Sequence, residues 1–124
     1  MSWTYQQSTG KLLDPAGDWV GTGYSGNGAG LNNPAMQEVP EVGPIPAGMW
    51  AIGAAAQVPV LGPVVMHLQP SPAGALDPFG RSGFFIHGDN ADESHTASCG
   101  CIVLGPADRR LMAASPDRNL EVIP

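Results

Sequence analysis

At 124 residues the chain is the size of one domain. Glycine (17) and proline (13) make up close to a quarter of it, which excludes a long-helix protein, while a hydrophobic fraction of 43% argues against a disordered one. A formal net charge of -6 speaks against nucleic acid as a partner, and no apolar run is long enough to insert in a membrane as a helix.

In chain order, Ser2-Trp3-Thr4-Tyr5-Gln6 alternates polar and aromatic residues, as a half-buried strand does. Its start has no basic stretch followed by an apolar one, so no secretory signal is expected. Ser8 to Lys11 is a turn, Lys11-Leu12-Leu13 a return strand, and Asp14-Pro15-Ala16-Gly17 a second turn. Asp18 to Gly26 predicts a strand that leads into a glycine-rich loop. That loop, Asn27 to Pro34, lacks the basic residue and the helix that a phosphate cradle needs. Gly43-Pro44-Ile45-Pro46-Ala47-Gly48 is a rigid corner, and Met49 to Gly53 a strand that enters the core.

Val58 to Leu68 is apolar but carries Pro59 and Pro63, which should push it to an edge or split it. Its best strand is Val64-Val65-Met66-His67-Leu68, with His67 a structural residue. Gln69 to Gly80 reads as a loop. Gly83-Phe84-Phe85-Ile86-His87 is a strand ending on a histidine, and Ile102-Val103-Leu104 a strand beginning just after a cysteine. Ala107 to Ser115 is the one credible helix, and Asn119 to Ile123 a closing strand. The expected architecture is a single, mainly β domain over residues 1–124: a compact sandwich or barrel-like core with one short C-terminal helix.

Chemistry concentrates between Phe84 and Leu104. One apolar strand delivers His87 to its end, a polar loop follows, and the chain turns on Ser98-Cys99-Gly100 into Cys101. A thiol with an ordinary pKa near 8.5 holds only a small share of thiolate at neutral pH, so a neighbouring imidazole is what a cysteine nucleophile needs. Gly100 allows the sharp turn that points the Gly100 and Cys101 N–H groups at a developing oxyanion, and Ser98 can hydrogen-bond into the same turn.

These residues resemble the motif of YkuD-type L,D-transpeptidases, His-Gly, a spacer, then Ser/Thr-His-Gly-Cys. Here Ile86-His87-Gly88 and Ser98-Cys99-Gly100-Cys101 stand for the two halves. The spacer is short, and Cys99 replaces the motif's second histidine. The chain is more similar to the Tlde1 family of small L,D-transpeptidase-like type VI secretion effectors. That likeness rests on Trp3-Thr4-Tyr5, Ser8-Thr9-Gly10, Gly23-Tyr24-Ser25-Gly26, Asn32-Asn33-Pro34 and Gly43 to Gly48. It continues with His87-Gly88-Asp89-Asn90, Ser98-x-Gly100-Cys101-Ile102-Val103, Arg109 or Arg110, and Leu120-x-Val122. The resemblance implies a cysteine enzyme of peptidoglycan, with Cys101 attacking a tetrapeptide stem, His87 as the base and no cofactor. It also implies delivery by injection into a target periplasm and a cognate immunity protein in the producing cell.

Each residue has a plainer reading beside this one. Cys101 is otherwise a small buried hydrophobe, and His87 a histidine satisfied by backbone. Asp89 could orient His87 or meet substrate; His95 is a second base, a substrate contact or a solvated loop residue. Arg109 or Arg110 could bind a stem carboxylate or simply charge a helix surface. Tyr24 and Ser25 line the cleft by family position only. Cys99 is a neighbour on the turn, half of a strained bridge to Cys101, or a redox control. The rival of another class is a small zinc-binding structural or interaction domain, with His87, His95, Cys99 and Cys101 as ligands, although Cys-x-Cys is tighter than the usual knuckle.

Overall fold

The computed structural model describes residues 2–58, 61–71, 79–81, 83–88 and 100–124. Asp89, Asn90, His95, Ser98 and Cys99 lie outside the described residues.

The strands are β1 (Trp3–Gln6), β2 (Lys11–Leu13), β3 (Trp19–Thr22), β4 (Tyr24–Ser25), β5 (Gly48–Ile52), β6 (Ala56–Val58), β7 (Gly62–Pro70), β8 (Phe85–His87), β9 (Ile102–Val103) and β10 (Asn119–Ile123). The one α-helix among the described residues is α1 (Pro106–Ala114). Nine strands form one path, β3-β2-β1-β10-β5-β7-β8-β9-β4, with β6 paired to β7 beside it. The two ends of that path, β3 and β4, are consecutive in the chain, separated only by Gly23. The sheet thus bends nearly into a barrel. A Cβ on Gly23 would collide with the Val103 carbonyl of β9, so glycine lets the chain pass close to β9 between β3 and β4.

Alternation decides the inside. Trp3 and Tyr5 of β1 and Leu120 and Val122 of β10 all face the core, and the parallel β1–β10 register places Trp3 against Leu120 and Tyr5 against Val122. Trp50, Met66, Leu68, Ile86 and Ile102 fill the rest. α1 starts with Pro106 in its first turn, and buries Met112 and Arg109 on one face. Arg118 caps its other end, donating to Met112 O (2.9 Å) and Ser115 O (3.3 Å).

The strand expected over Asp18 to Gly26 is broken at Gly23 into β3 and β4, which lie at opposite ends of the path, and β6 was not expected; two further points concern the proline segments. Pro63 does not split its strand: β7 runs nine residues, from Gly62 through Pro63 to Pro70, two residues into the predicted loop. Its proline end pairs irregularly with β6, and Val64 there adopts φ +55°, a conformation costly for a β-branched residue. The Arg109 guanidinium donates to both Pro63 O (2.8 Å) and Val64 O (3.3 Å), holding the kink in place. Second, the Gly43–Pro46 corner is buried. It has no ladder partners, so side chains satisfy it. Gln7 Nε2 donates to Ile45 O (2.7 Å), Trp50 Nε1 to Pro46 O (3.1 Å), and Arg81 to Gly43 O (3.0 Å) and Pro44 O (2.8 Å).

Three of the five cationic residues, Arg81, Arg109 and Arg118, thus serve as collectors of main-chain carbonyls. A chain so rich in glycine and proline leaves many carbonyls outside regular ladders, and a guanidinium with five donors is suited to gather them.

Candidate active site

β8 is short and apolar, lying between β7 and β9. It pairs in parallel with β9, Ile86 against Ile102 and His87 against Val103. Partners in a parallel ladder share a face, and faces alternate along a strand. Ile86 and Ile102 point into the core, so His87 and Val103 take the other face. Cys101 is the residue just before β9, so it stands beside β8 where the chain enters the ladder. The candidate base therefore ends one strand, and the candidate nucleophile immediately precedes its parallel neighbour.

His87 is 3% exposed. Its Nδ1 lies 2.7 Å from Gly88 O. A carbonyl can only accept, so Nδ1 carries the proton, and in the neutral ring Nε2 holds the basic lone pair. The main chain of His87 is fixed as well, since Leu104 N donates to its carbonyl at 3.0 Å. Gly88 follows, and a Cβ there would sit 2.8 Å from Arg109 Nη2. Arg109 therefore packs its guanidinium against the residue after the histidine.

Cys101 is partly exposed, and its Sγ lies 3.5 Å from Gly83 O, on the chain leading into β8. Gly100 before it has φ +126°, and a Cβ there would run into the Arg81 guanidinium. Both facts require glycine. Arg81 is buried, stacks 5.2 Å from the Phe84 ring centre, and donates to Gln37 O at 2.6 Å as well as to the corner. On the other side, the Ser25 hydroxyl reaches Gly100 O.

Among the remaining residues singled out from the sequence, Tyr24 is buried on β4, opposite Val103 of β9. Arg109 is buried with Nε on Leu104 O (3.0 Å), and its pKa is lowered, first by burial and then by the Arg110 charge. Arg110 is exposed. His67 lies on the outer face of β7, its ring 4.9 Å from that of Phe85. Arg81 escaped the sequence reading altogether, although a lone cation leading into an apolar strand is a signal for a buried donor. Among the described residues no group of three His, Cys, Asp or Glu side chains is placed to hold a metal ion.

The described residues thus form a mainly β, nearly closed sheet with one short helix, with His87 at the end of β8 and a glycine-preceded cysteine leading into the neighbouring β9. The Tlde1 domain matches residues 20–122, and the chain belongs to that family, a family of type VI secretion effectors. No curated protein matches the chain.

Proposed function

We propose that the chain is a cysteine acyltransferase of peptidoglycan, an L,D-transpeptidase or L,D-carboxypeptidase acting on tetrapeptide stems. The observation that carries this reading is the β8–β9 ladder, which pairs the strand ending on His87 with the strand that Cys101 leads into, with a glycine turn before the thiol. Membership of the Tlde1 family supports it.

In this reaction His87 Nε2 takes the thiol proton, and Cys101 Sγ attacks the carbonyl of the L-centre of the stem's diacid residue. A tetrahedral oxyanion forms within reach of main-chain N–H donors at the Gly100–Cys101 turn. It collapses to a thioester as the terminal D-alanine leaves with the proton from His87. An acceptor then attacks the thioester, giving its proton to His87 and restoring the thiol. Water as acceptor yields a trimmed tripeptide, a free D-amino acid yields exchange, and a second stem yields a cross-link. Side chains and main chain supply every group these steps need, so no cofactor enters.

Ser98 belongs to the catalytic turn in this reading, and Asp89, His95 and Tyr24 to the substrate side. Of the two arginines, exposed Arg110 is the better placed for a stem carboxylate, because Arg109 is engaged with carbonyls. The product explains an antibacterial effector: stems trimmed or exchanged in the target periplasm no longer cross-link normally. A cognate immunity protein would protect the producing cell. Incubation with purified tetrapeptide muropeptides, followed by mass spectrometry under reducing conditions, tests the proposal. Loss of the terminal D-alanine is expected, and unchanged tetrapeptides would refute it.

A further inference from the structure

Ser25 is fully buried, and its hydroxyl bridges two segments far apart in the chain. Oγ donates to Gly100 O at 3.0 Å and accepts from Ile45 N at 2.8 Å. The Ser25 main chain is itself pinned on both sides by Asn32. Ser25 N lies 3.2 Å from Asn32 Oδ1, and Ser25 O accepts from Asn32 N at 2.9 Å. β4 adds its pairing to β9, Ser25 against Ile102. The hydroxyl therefore has a fixed origin and a fixed direction.

Its target is the peptide that joins Gly100 to the candidate nucleophile. That peptide is planar and trans, so its C=O and N–H point in opposite directions. Holding Gly100 O toward β4 aims Cys101 N–H away from β4 and sets the angle at which the Cys101 side chain leaves the backbone. Gly100 cannot set this plane alone, because glycine has the widest backbone freedom of any residue. At φ +126° its conformation depends on its surroundings. Arg81 closes one side of Gly100 by contact, and Ser25 fixes its carbonyl by hydrogen bond.

We propose that Ser25 is a positioning residue that sets the Gly100–Cys101 peptide plane, and with it the amide and thiol of Cys101, for acyl transfer. The inference rests on the acyltransferase reading above. It assigns the Gly23-Tyr24-Ser25-Gly26 segment a task other than lining a cleft. It also makes the Gly43–Pro46 corner part of the catalytic apparatus, since Ile45 N keeps the serine oxygen oriented.

The test compares two reactions of the same thiol. Acyl transfer needs the peptide plane, whereas alkylation by iodoacetamide forms no oxyanion. Wild type, Ser25→Ala, Ser25→Cys and Ser25→Thr are assayed for D-alanine release from tetrapeptide muropeptides. Alkylation at Cys101 is followed in parallel by peptide mass mapping. Ser25→Ala is expected to lower kcat by about 10–100-fold, with KM and the alkylation rate within about threefold of wild type. Ser25→Thr, which keeps the hydroxyl, should recover most of the loss. Ser25→Cys, near in size with a weaker donor, should fall between, and is read in place of Ser25→Ala if the latter does not fold. Full D-alanine release by the folded alanine or cysteine variant overturns the proposal, as does a parallel fall of release and alkylation. A wild-type protein that is alkylated normally but releases no D-alanine refutes the acyltransferase reading itself, and the proposal with it.

Discussion

The two halves of the candidate site are braced by different kinds of structure. The His87 half is held by regular elements: its carbonyl by Leu104 N, its following glycine by Arg109 of α1. The Cys101 half is held through Ser25 of β4 and through Arg81, both of which tie it to the irregular Gly43–Ile45 corner. Exposure follows the same division, with His87 buried and Cys101 partly open. A base must keep one ring orientation and benefits from a rigid helix-backed seat. A nucleophile must meet a substrate from solvent, and a loop-backed seat leaves room for it.

The largest expected effect tests which cysteine the loop-backed half serves. Cys101→Ala should lower stem modification by at least about 1,000-fold, while Cys99→Ser keeps it; muropeptide mass spectrometry reads both. The reverse pattern would move the nucleophile and dissolve the comparison. Next comes Gly100→Ala, which adds a Cβ against Arg81 at a backbone angle unsuited to alanine. Urea unfolding should show a loss of about 3–4 kcal/mol. Gly88→Ala meets Arg109 at a less close distance and without a positive φ, and should cost less.

The two arginines give a finer cut. Arg81→Met and Arg109→Met each strand several carbonyls, at about 2–3 kcal/mol apiece. Hydrogen exchange should separate them. Arg81→Met is expected to loosen residues 37–46 and 100–104, and Arg109→Met residues 62–66 and α1. If either variant loosens both sets, the halves are one unit.

The smallest effect concerns Asp108, beside Arg109 on α1, where burial raises the carboxyl above its usual value of 3.8. Its carboxylate lies against Gly21 of β3. An acid whose folded pKa exceeds its unfolded one binds more protons when folded, so stability falls as pH rises through that window. Asp108→Asn should therefore match wild type in acid and melt slightly higher at neutral pH. A wild-type advantage at neutral pH would show that the carboxylate helps α1 more than burial penalises it.

How much of this was legible follows from the range of each interaction. Alternation in Trp3-Thr4-Tyr5 marked β1 as a half-buried strand, because side-chain period is a local property, and Asn119 to Ile123 was legible as a closing strand. The parallel pairing of those two strands was not legible, since nothing local distinguishes one partner strand from another. The order His87, Gly88, Gly100, Cys101 pointed to the candidate site, and β8, which ends on His87, pairs with β9, which Cys101 precedes. Arg81 and the hydrogen bonds of Ser25 stayed hidden because their partners are main-chain carbonyls and an amide, which every residue carries and no sequence pattern marks. Pro63 misled for a related reason: the donor that rescues its kink is Arg109, 46 positions away.

The same parallel ladder has a kinetic consequence. Trp3–Gln6 meets Asn119–Ile123 in the middle of the strand order, so the sheet is completed by a contact spanning almost the whole described chain. The entropy of closing so large a loop must be met before the contact returns anything. Refolding should therefore run in about milliseconds to seconds, the range of non-local β topologies. A chain that must refold before it acts would do so only on that timescale, and β1 and β10, not the turn at Gly100–Cys101, would set the delay.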